Sequence, residues 1–210
     1  ARSATAKSAT ALGVNIQTKS RRQMAPTAPG EVWTAGRKPA KGKWIGLKAH
    51  VRGINPKAQL EMHSGPLGYL GVTPVEDGWF NVCGLFRMRR DIDARHEELL
   101  PAYLSKNGNT ELARRISSAE WREGSFTAVA GFALGLQATT PGLLSLGDSH
   151  AIIPPFTGNG MTMAFQSAET ALPYLVAYAN GEMTWDEACA QIAMQLRTRF
   201  EKRLKSAKLI

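Results

Sequence analysis

The sequence predicts an α+β protein in which an antiparallel sheet precedes a helical carboxyl-terminal region. Two observations predict this fold class. Short apolar runs separated by Gly, Pro, Asn and Asp occupy residues 43–87, as in a sheet of antiparallel strands. Beyond residue 91, apolar residues recur at steps of three and four, which is the period of a helix.

The strand-like segments begin near the amino terminus. Residues 13–20 alternate apolar and polar side chains, and residues 31–36 form a short apolar run that ends in glycine, so two small strands are predicted there. Four longer runs follow, and Glu76–Gly78 predicts a hairpin turn between the last two. These runs cover residues 43–53, 58–65, 67–78 and 79–87.

Helical patterns follow the sheet. Residues 91–108 carry apolar side chains near a 3.6-residue period and end at an Asn-Gly-Asn breaker, and a second short helix comes next. Residues 125–135 form one more strand-like run. The final segment, residues 185–210, alternates apolar and basic residues, which predicts an amphipathic helix that packs on its own protein.

The net charge of +9 is concentrated in the first 60 residues, where twelve Lys or Arg residues face the single acid Glu31. A basic segment attracts nucleic acid, an anionic cofactor or an acidic partner protein, or is only a solvated surface, and charge alone does not separate these possibilities. Aromatic and basic residues do not interleave as in a stacking platform for single strands, so no nucleic acid is expected.

The two cysteines, Cys83 and Cys189, lie far apart and lack metal-ligand spacing, which favours thiols over a disulfide framework or a metal site. No apolar stretch has the length of a membrane-spanning helix, and no secretion signal is recognisable. We therefore expect a cytoplasmic location.

Residues 143–165 combine features that suit a ligand site. An apolar run predicts a buried strand that stops at Gly147 and holds Asp148 at its carboxyl end, where open α/β sheets place their ligands. The two prolines that follow forbid helix and predict an extended bend, and Gly158-Asn159-Gly160 then permits close backbone approach.

A helix is predicted directly after this loop. Its first N–H groups have no intrahelical partners and carry the positive end of the helix dipole, so they suit an anionic or electron-rich ligand atom. Alternatively, the glycines serve only a tight turn beneath a packed helix. Six apolar residues at helical spacing predict a buried stripe, namely Met161, Ala164, Phe165, Ala168, Leu172 and Leu175.

The run LGDSHAIIPPFTGNGMTMAFQSAETA resembles the second flavin-binding motif of FAD-dependent oxidoreductases of the para-hydroxybenzoate hydroxylase and geranylgeranyl reductase type. The resemblance implies that Asp148 binds the ribityl chain of FAD. It also implies that Pro155 and the following backbone face the pyrimidine edge of the isoalloxazine. VWTAGRKP resembles the segment that returns to the nucleotide domain in this family. The implied cofactor-binding residues are Gly36, Gly147, Asp148, Pro155, Gly158, Asn159, Gly160 and Met161.

The same resemblance implies three regions. Residues 1–39 would be a remnant of the FAD-binding domain, residues 40–135 the substrate-domain sheet and helices, and residues 136–210 the carboxyl-terminal part of a Rossmann-like FAD-binding domain, which is α/β in the parent protein. The G-x-G-x-x-G fingerprint with which this family begins is missing, so we expect a carboxyl-terminal portion of a longer flavoprotein.

The implied activity is that of a flavin-dependent monooxygenase or reductase. Such a protein would act on a small organic substrate, free or carrier-bound, with FAD as cofactor and NAD(P)H as electron donor. No catalytic residue is identified, and His150, next to the Gly-Asp motif, is expected to act indirectly. The alternative is a basic, non-enzymatic binding module for nucleic acid or an acidic carrier protein.

Overall fold

The computed structural model of the protein describes residues 4–20, 28–37, 41–138, 140 and 142–207. In this part of the chain the helices are α1 (Ala4–Ala11), α2 (Leu99–Lys106), α3 (Thr110–Ser117), α4 (Gly160–Ala179) and α5 (Trp185–Ser206). The strands are β1 (Val32–Trp33), β2 (Trp44–Arg52), β3 (Glu61–Gly65), β4 (Gly68–Pro74), β5 (Phe80–Arg87), β6 (Glu120–Trp121), β7 (Thr127–Phe132), β8 (Gly135–Leu136), β9 (Leu144–Ser145) and β10 (Ala151–Ile152).

The longer strands form one six-stranded sheet in the order β3-β4-β5-β2-β6, with β7 also paired to β2. All of its pairs are antiparallel. The β4–β5 hairpin turns at Glu76–Gly78, where Asp77 (φ 58°) and Gly78 (φ 71°) adopt the left-handed conformation that tight turns require. The predicted antiparallel sheet and its hairpin are confirmed.

One face of this sheet is buried under α2 and α3. Strand β2 alternates between the two faces, with Leu47, Ala49 and Val51 fully buried in a cluster that includes Leu100 of α2 and Ile116 of α3. The side chain of Asn107, buried at the end of α2, accepts a hydrogen bond from Leu67 N (2.7 Å) and donates one to Gly68 O (3.2 Å). This amide ties the helical layer to the β3–β4 hairpin.

A second hydrophobic cluster forms between α4, α5 and the short strands of the carboxyl-terminal region. Strand β1 pairs in parallel with β9, and β8 pairs antiparallel with β10. The apolar face predicted for the final helix is confirmed, because its side chains Ile192, Leu196, Phe200 and Leu204 are buried. Thus strands from both ends of the chain reach the carboxyl-terminal helices.

The predicted strand at residues 13–20 is wrong, because this segment contains no strand and its side chains are largely exposed. An alternating run becomes a strand only beside a neighbour that completes its hydrogen bonds, and none of the described residues pairs with it. The helix α1 that precedes it was not predicted. Its sequence lacks a strong apolar period, although alanine favours helix.

The predicted buried stripe of α4 is also wrong in its orientation. Met161, Phe165 and Leu172 are 78%, 74% and 59% exposed, and Ala168 is exposed as well, whereas Ala164 and Leu175 are half-buried. The buried face instead consists of Met163, Ser167 and Ala171. Two small residues on that face allow close approach to α5 and to the turn after β9.

Helix α5 begins with a capping box that we expect to stabilise the fold measurably. Thr184 Oγ1 accepts a hydrogen bond from Glu187 N (3.3 Å), and Glu187 Oε2 accepts one from Thr184 N (2.8 Å). Thr184→Ala should lower the free energy of unfolding by about 1 kcal/mol, measured by urea denaturation. The matched control is Thr198→Ala, since Thr198 lies exposed inside the same helix and its hydroxyl only donates to Met194 O. Equal losses in both variants would contradict a capping role.

Candidate functional site

The Gly147–Ser149 turn is anchored on α4. Gly147 has φ 61°, and its amide donates a hydrogen bond to Ser167 Oγ (3.0 Å) on the buried face of that helix. A Cβ at Gly147 would lie 3.4 Å from the Cβ of Ala164, which is ordinary van der Waals contact. Glycine is therefore favoured here by its backbone conformation, because other residues rarely adopt this positive φ.

Asp148 lies between two anchored residues, and its own side chain is exposed. Partial desolvation by the surrounding atoms raises the pKa of its carboxyl group, and no donor among the described residues offsets that effect. The neighbouring Ser149 is buried, and its hydroxyl donates to Gly36 O at 2.7 Å. The structure thus brings Gly36, Gly147 and Asp148 together, although residue 36 is far from the other two in sequence.

The loop that follows differs from the predicted extended bend. Pro154 is extended (φ −52°, ψ 125°), but Pro155–Thr157 forms a short 3-10 turn, which proline tolerates because it occupies the first helical position. Thr157 Oγ1 donates to Pro154 O (3.0 Å), and Gly158 closes the turn with φ 65°. A Cβ at Gly158 or Gly160 would meet no atom within 4 Å, so the backbone here is open to a ligand.

Helix α4 begins at Gly160 with free amide groups. Asn159 O accepts the hydrogen bond of Met163 N (2.9 Å), so the amides of Gly160, Met161 and Thr162 have no acceptor within the helix. The Asn159 side chain donates to Thr157 O (2.8 Å) and does not cap the helix. With no acidic residue in the first turn, the positive end of the dipole is left uncompensated.

His150 adds a second polar group beside Asp148. Burial lowers the pKa of its imidazole, which keeps the ring neutral at pH 7. Its Nε2 atom is buried and has no hydrogen-bond partner among the described residues. A neutral ring with an unsatisfied nitrogen is costly in a finished core, and such an atom is a candidate contact for a bound molecule.

The antiparallel sheet meets this loop through Tyr69. The rings of Tyr69 on β4 and Phe156 in the loop pack edge to face with centroids 5.4 Å apart. Burial raises the pKa of the Tyr69 phenol, so the hydroxyl stays protonated at neutral pH. The face of the sheet that α2 and α3 leave uncovered therefore adjoins the glycine-rich loop.

Sequence reasoning missed three residues of this site. Ser149 lies inside the flavin-binding-like motif. Its position directly after Asp148 indicates that it is close to the site. Ser167 and Tyr69 carry no comparable signal, because their contacts with Gly147 and Phe156 join positions distant in sequence. The predicted residues from Pro155 to Met161 lie where α4 begins, and their role in cofactor binding stays a prediction.

Other kinds of site find no support in the part of the chain that the structure describes. No group of three or more His, Cys, Asp or Glu residues there is arranged to hold a metal ion. Among the described helices, none combines the length and apolar character needed to cross a bilayer.

The structure resembles several solved proteins, among them FAD-dependent enzymes. These include the myxobacterial chondrochloren halogenase CndH (TM-score 0.60, 13% identity, 80% of this chain and 41% of that one). A geranylgeranyl bacteriochlorophyll reductase-like protein from Thermoplasma acidophilum gives a TM-score of 0.57 at 20% identity, over 79% of this chain and 42% of that one. PqsL from Pseudomonas aeruginosa, a probable FAD-dependent monooxygenase, gives 0.53 at 14% identity, over 82% and 49%.

These likenesses show the fold. The chain has part of the fold of FAD-dependent oxidoreductases of the para-hydroxybenzoate hydroxylase and geranylgeranyl reductase type, as its motif indicated. It spans less than half the length of each of the three proteins. No family model matches the sequence, and no curated protein matches it.

The raised pKa of Asp148 predicts that the ionised carboxylate lowers the free energy of unfolding of the native protein. Above the folded-state pKa the native protein must hold a partly desolvated charge, which costs little because the Asp148 side chain is exposed, and this penalty disappears as the pH falls below 3.8, the ordinary value, where both states are protonated. Asp148→Asn should therefore be at least as stable as the natural chain at pH 7, with any advantage lost near pH 3, measured by thermal unfolding. A large loss of stability at pH 7 would instead assign Asp148 a structural role.

Proposed function

We propose that the chain is the flavin-contacting part of an FAD-dependent oxidoreductase that acts on a small organic molecule. The observation that carries this proposal is the joint anchoring of Asp148 and of the first amides of α4. Gly147, next to Asp148, bonds Ser167 of the same helix whose amino end is open to a ligand. A fold shared with an FAD-dependent halogenase, a probable FAD-dependent monooxygenase and a geranylgeranyl bacteriochlorophyll reductase-like protein supports it.

The residues present fit a flavin by their chemistry. A carboxylate that lacks a donor is suited to the hydroxyl groups of a ribityl chain, which are donors. Free amides at the amino-terminal end of the 20-residue helix α4 are suited to an electron-rich ring edge. The buried Nε2 of His150 is a third polar atom that a ligand near this turn would satisfy.

In this proposal the protein binds FAD and adjusts the electrostatic environment of its ring. FAD supplies the transfer of electrons when it is bound. Asp148 would orient the ribityl chain through hydrogen bonds. The amides of Gly160, Met161 and Thr162 would stabilise negative charge at the pyrimidine edge, because the helix dipole already points its positive end there. Gly36, whose carbonyl is fixed by Ser149, would lie beside Asp148 at the edge of the site.

We place the substrate between the loop and the uncovered face of the antiparallel sheet. The contact of Tyr69 with Phe156 supports this location, because it joins that face to the loop that would touch the flavin. NAD(P)H as electron donor is part of the same proposal, since a flavin must be reduced again after each turnover. A cytoplasmic location is proposed with it.

The division at residues 39/40 and 135/136 is likewise a proposal. The two separate hydrophobic clusters support it. All buried residues of one cluster lie between positions 45 and 116, and those of the other lie between positions 144 and 207. The parallel pairing of β1 with β9 supports grouping residues 1–39 with the last region and not with the sheet.

Flavin binding is the direct test. The purified chain, titrated with FAD, should shift and quench the visible flavin spectrum. Asp148→Ala should weaken this binding about 10- to 100-fold, because a hydrogen bond to a charged group contributes about 1.5–3 kcal/mol. The matched control is Asp77→Asn, which changes an exposed carboxylate in the β4–β5 turn.

Two outcomes would contradict the proposal. One is a chain whose FAD affinity is the same with and without Asp148. The other is a chain that ignores FAD and instead shifts nucleic acid in a salt-dependent way, which would favour the basic binding module. If FAD binds, oxygen consumption coupled to NAD(P)H oxidation separates a monooxygenase from a reductase.

Gly160→Asp should separate helix stability from ligand binding. An acid in the first turn of α4 complements the helix dipole and should raise the stability of the free protein by about 0.3–1 kcal/mol. The same carboxylate would occupy the open space at Gly160 and repel an electron-rich ring, so FAD affinity should fall. Thermal unfolding and FAD titration measure the two effects. A variant that gains stability and keeps full FAD affinity would place the flavin elsewhere.

A further inference from the structure

One end of the antiparallel sheet carries a patch of positive charge. The start of β2 meets the ends of β5 and β7 there, because Trp44 is the cross-strand partner of both Arg87 and Phe132. Met88 N also donates a hydrogen bond to Lys43 O (2.8 Å), which joins the residues just outside β5 and β2. We call this patch the basic rim and define it by its cationic residues, Arg37, Lys41, Lys43, Arg87 and Arg90.

Two arginines of the basic rim lie against aromatic rings. The guanidinium carbon of Arg37 is 4.2 Å from the centre of the Phe132 ring, and that of Arg87 is 5.5 Å from the centre of the Trp44 ring. Gly42 packs so closely on the Phe132 carbonyl that a side chain there would overlap it, which keeps residues 41–43 beside β7. Because the rings hold the two guanidinium groups in place, these side chains lose less freedom when they bind a partner.

The charge of the basic rim is not balanced by carboxylates. None of its five side chains forms an ion pair with another described residue. The acid that follows it in sequence, Asp91, is already bound by Arg89 (2.7 and 2.8 Å) and by Lys106 (3.3 Å). Four of the five rim side chains are exposed and only Arg37 is half-buried, so their positive potential reaches the solvent and attracts an anionic surface.

The width of the basic rim favours a large anionic partner. Neighbouring strands lie about 4.8 Å apart, so the rim measures about 10 Å from β7 across β2 to β5. A single phosphate or carboxylate cannot contact both Arg37 and Arg87 over that distance. Carboxylates on successive turns of a helix are about 5.4 Å apart along its axis, and a row of them spans the rim.

The residue types of the basic rim favour a protein over a nucleic acid. Arginine, methionine and aromatic residues are enriched in protein–protein interfaces, and Met88, between Arg87 and Arg90 in sequence, is 45% exposed. Single-stranded nucleic acids stack their bases on open aromatic rings. The rings of Trp44 and Phe132 are half-buried and already lie against guanidinium groups, so they offer no such platform.

We propose that the basic rim is the docking site of an acidic protein, which binds Arg37 and Arg87 through carboxylates on successive turns of a surface helix. The partner lies at the edge of the candidate flavin site, because Arg37 follows Gly36, whose carbonyl accepts the hydrogen bond of Ser149 (2.7 Å). This goes beyond the proposed function, since the docking is electrostatic and requires no flavin.

The test uses the full 210-residue chain without FAD. The probe is a fluorescent alanine-based peptide of about 20 residues, long enough to form a helix, with Glu at every fourth position. Fluorescence anisotropy should show binding that weakens as salt is added, because salt screens exposed charges. An analogue with Gln in place of Glu should not bind.

Paired variants decide whether the basic rim is the contact. Arg37→Gln combined with Arg87→Gln should weaken binding of the Glu peptide about tenfold, because two exposed ion pairs are lost. The matched control, Arg114→Gln combined with Arg197→Gln, removes the same charge from exposed positions on α3 and α5 and should leave binding unchanged. On the natural chain, the Glu peptide should protect Arg37 and Arg87 from phenylglyoxal, while Arg114 and Arg197 stay reactive; this readout requires no variant to fold.

Four outcomes would overturn the proposal. They are a Glu peptide that does not bind, an equal loss of affinity in both double variants, displacement of the peptide by inorganic phosphate at matched ionic strength, and tighter binding of oligothymidylate that protects the same arginines. The last two would assign the basic rim to a small anion or to nucleic acid. Since FAD is absent throughout, these outcomes are independent of the flavin titration.

Discussion

The candidate site depends on the packing of Gly147 against α4. Its amide donates a hydrogen bond to the Ser167 hydroxyl, and its α-carbon lies beside Ala164 of the same helix. Because both partners belong to α4, the carboxylate that follows Gly147 and the open amides at Gly160 are positioned by the same helix. Any other residue at this position would strain the turn that holds these two groups in place, because Gly147 has a φ of 61°.

The same packing explains the orientation of α4. A helix that must admit a backbone turn needs small residues on that face, and Ala164, Ser167 and Ala171 provide them. The larger side chains of Met161 and Phe165 are consequently turned outward. Hydrophobic periodicity established that a helix follows the glycines, but it favoured the larger residues as the buried face. Size alone does not reveal which face a close backbone contact will select.

Patterns within the sequence predicted most of the described architecture. The antiparallel sheet, the turn at Glu76–Gly78 and the buried face of α5 follow from local periodicity and turn residues. The resemblance of the LGDSHAIIPPFTGNG run to a flavin-binding motif predicted the fold family. The contacts of Ser149 with Gly36 and of Tyr69 with Phe156 were not predictable, since they join residues 113 and 87 positions apart. The strand expected at residues 13–20 failed because pairing also depends on a distant neighbour.

The two hydrophobic clusters share no residue, and this separation has a consequence for how substitutions combine. A substitution among the side chains beneath the sheet leaves the packing between α4 and α5 intact, because no buried residue belongs to both. Core substitutions beneath the sheet and core substitutions between α4 and α5 should therefore change stability additively. Tyr69 and Phe156 meet across the boundary, so a substitution at either position affects the packing of both parts.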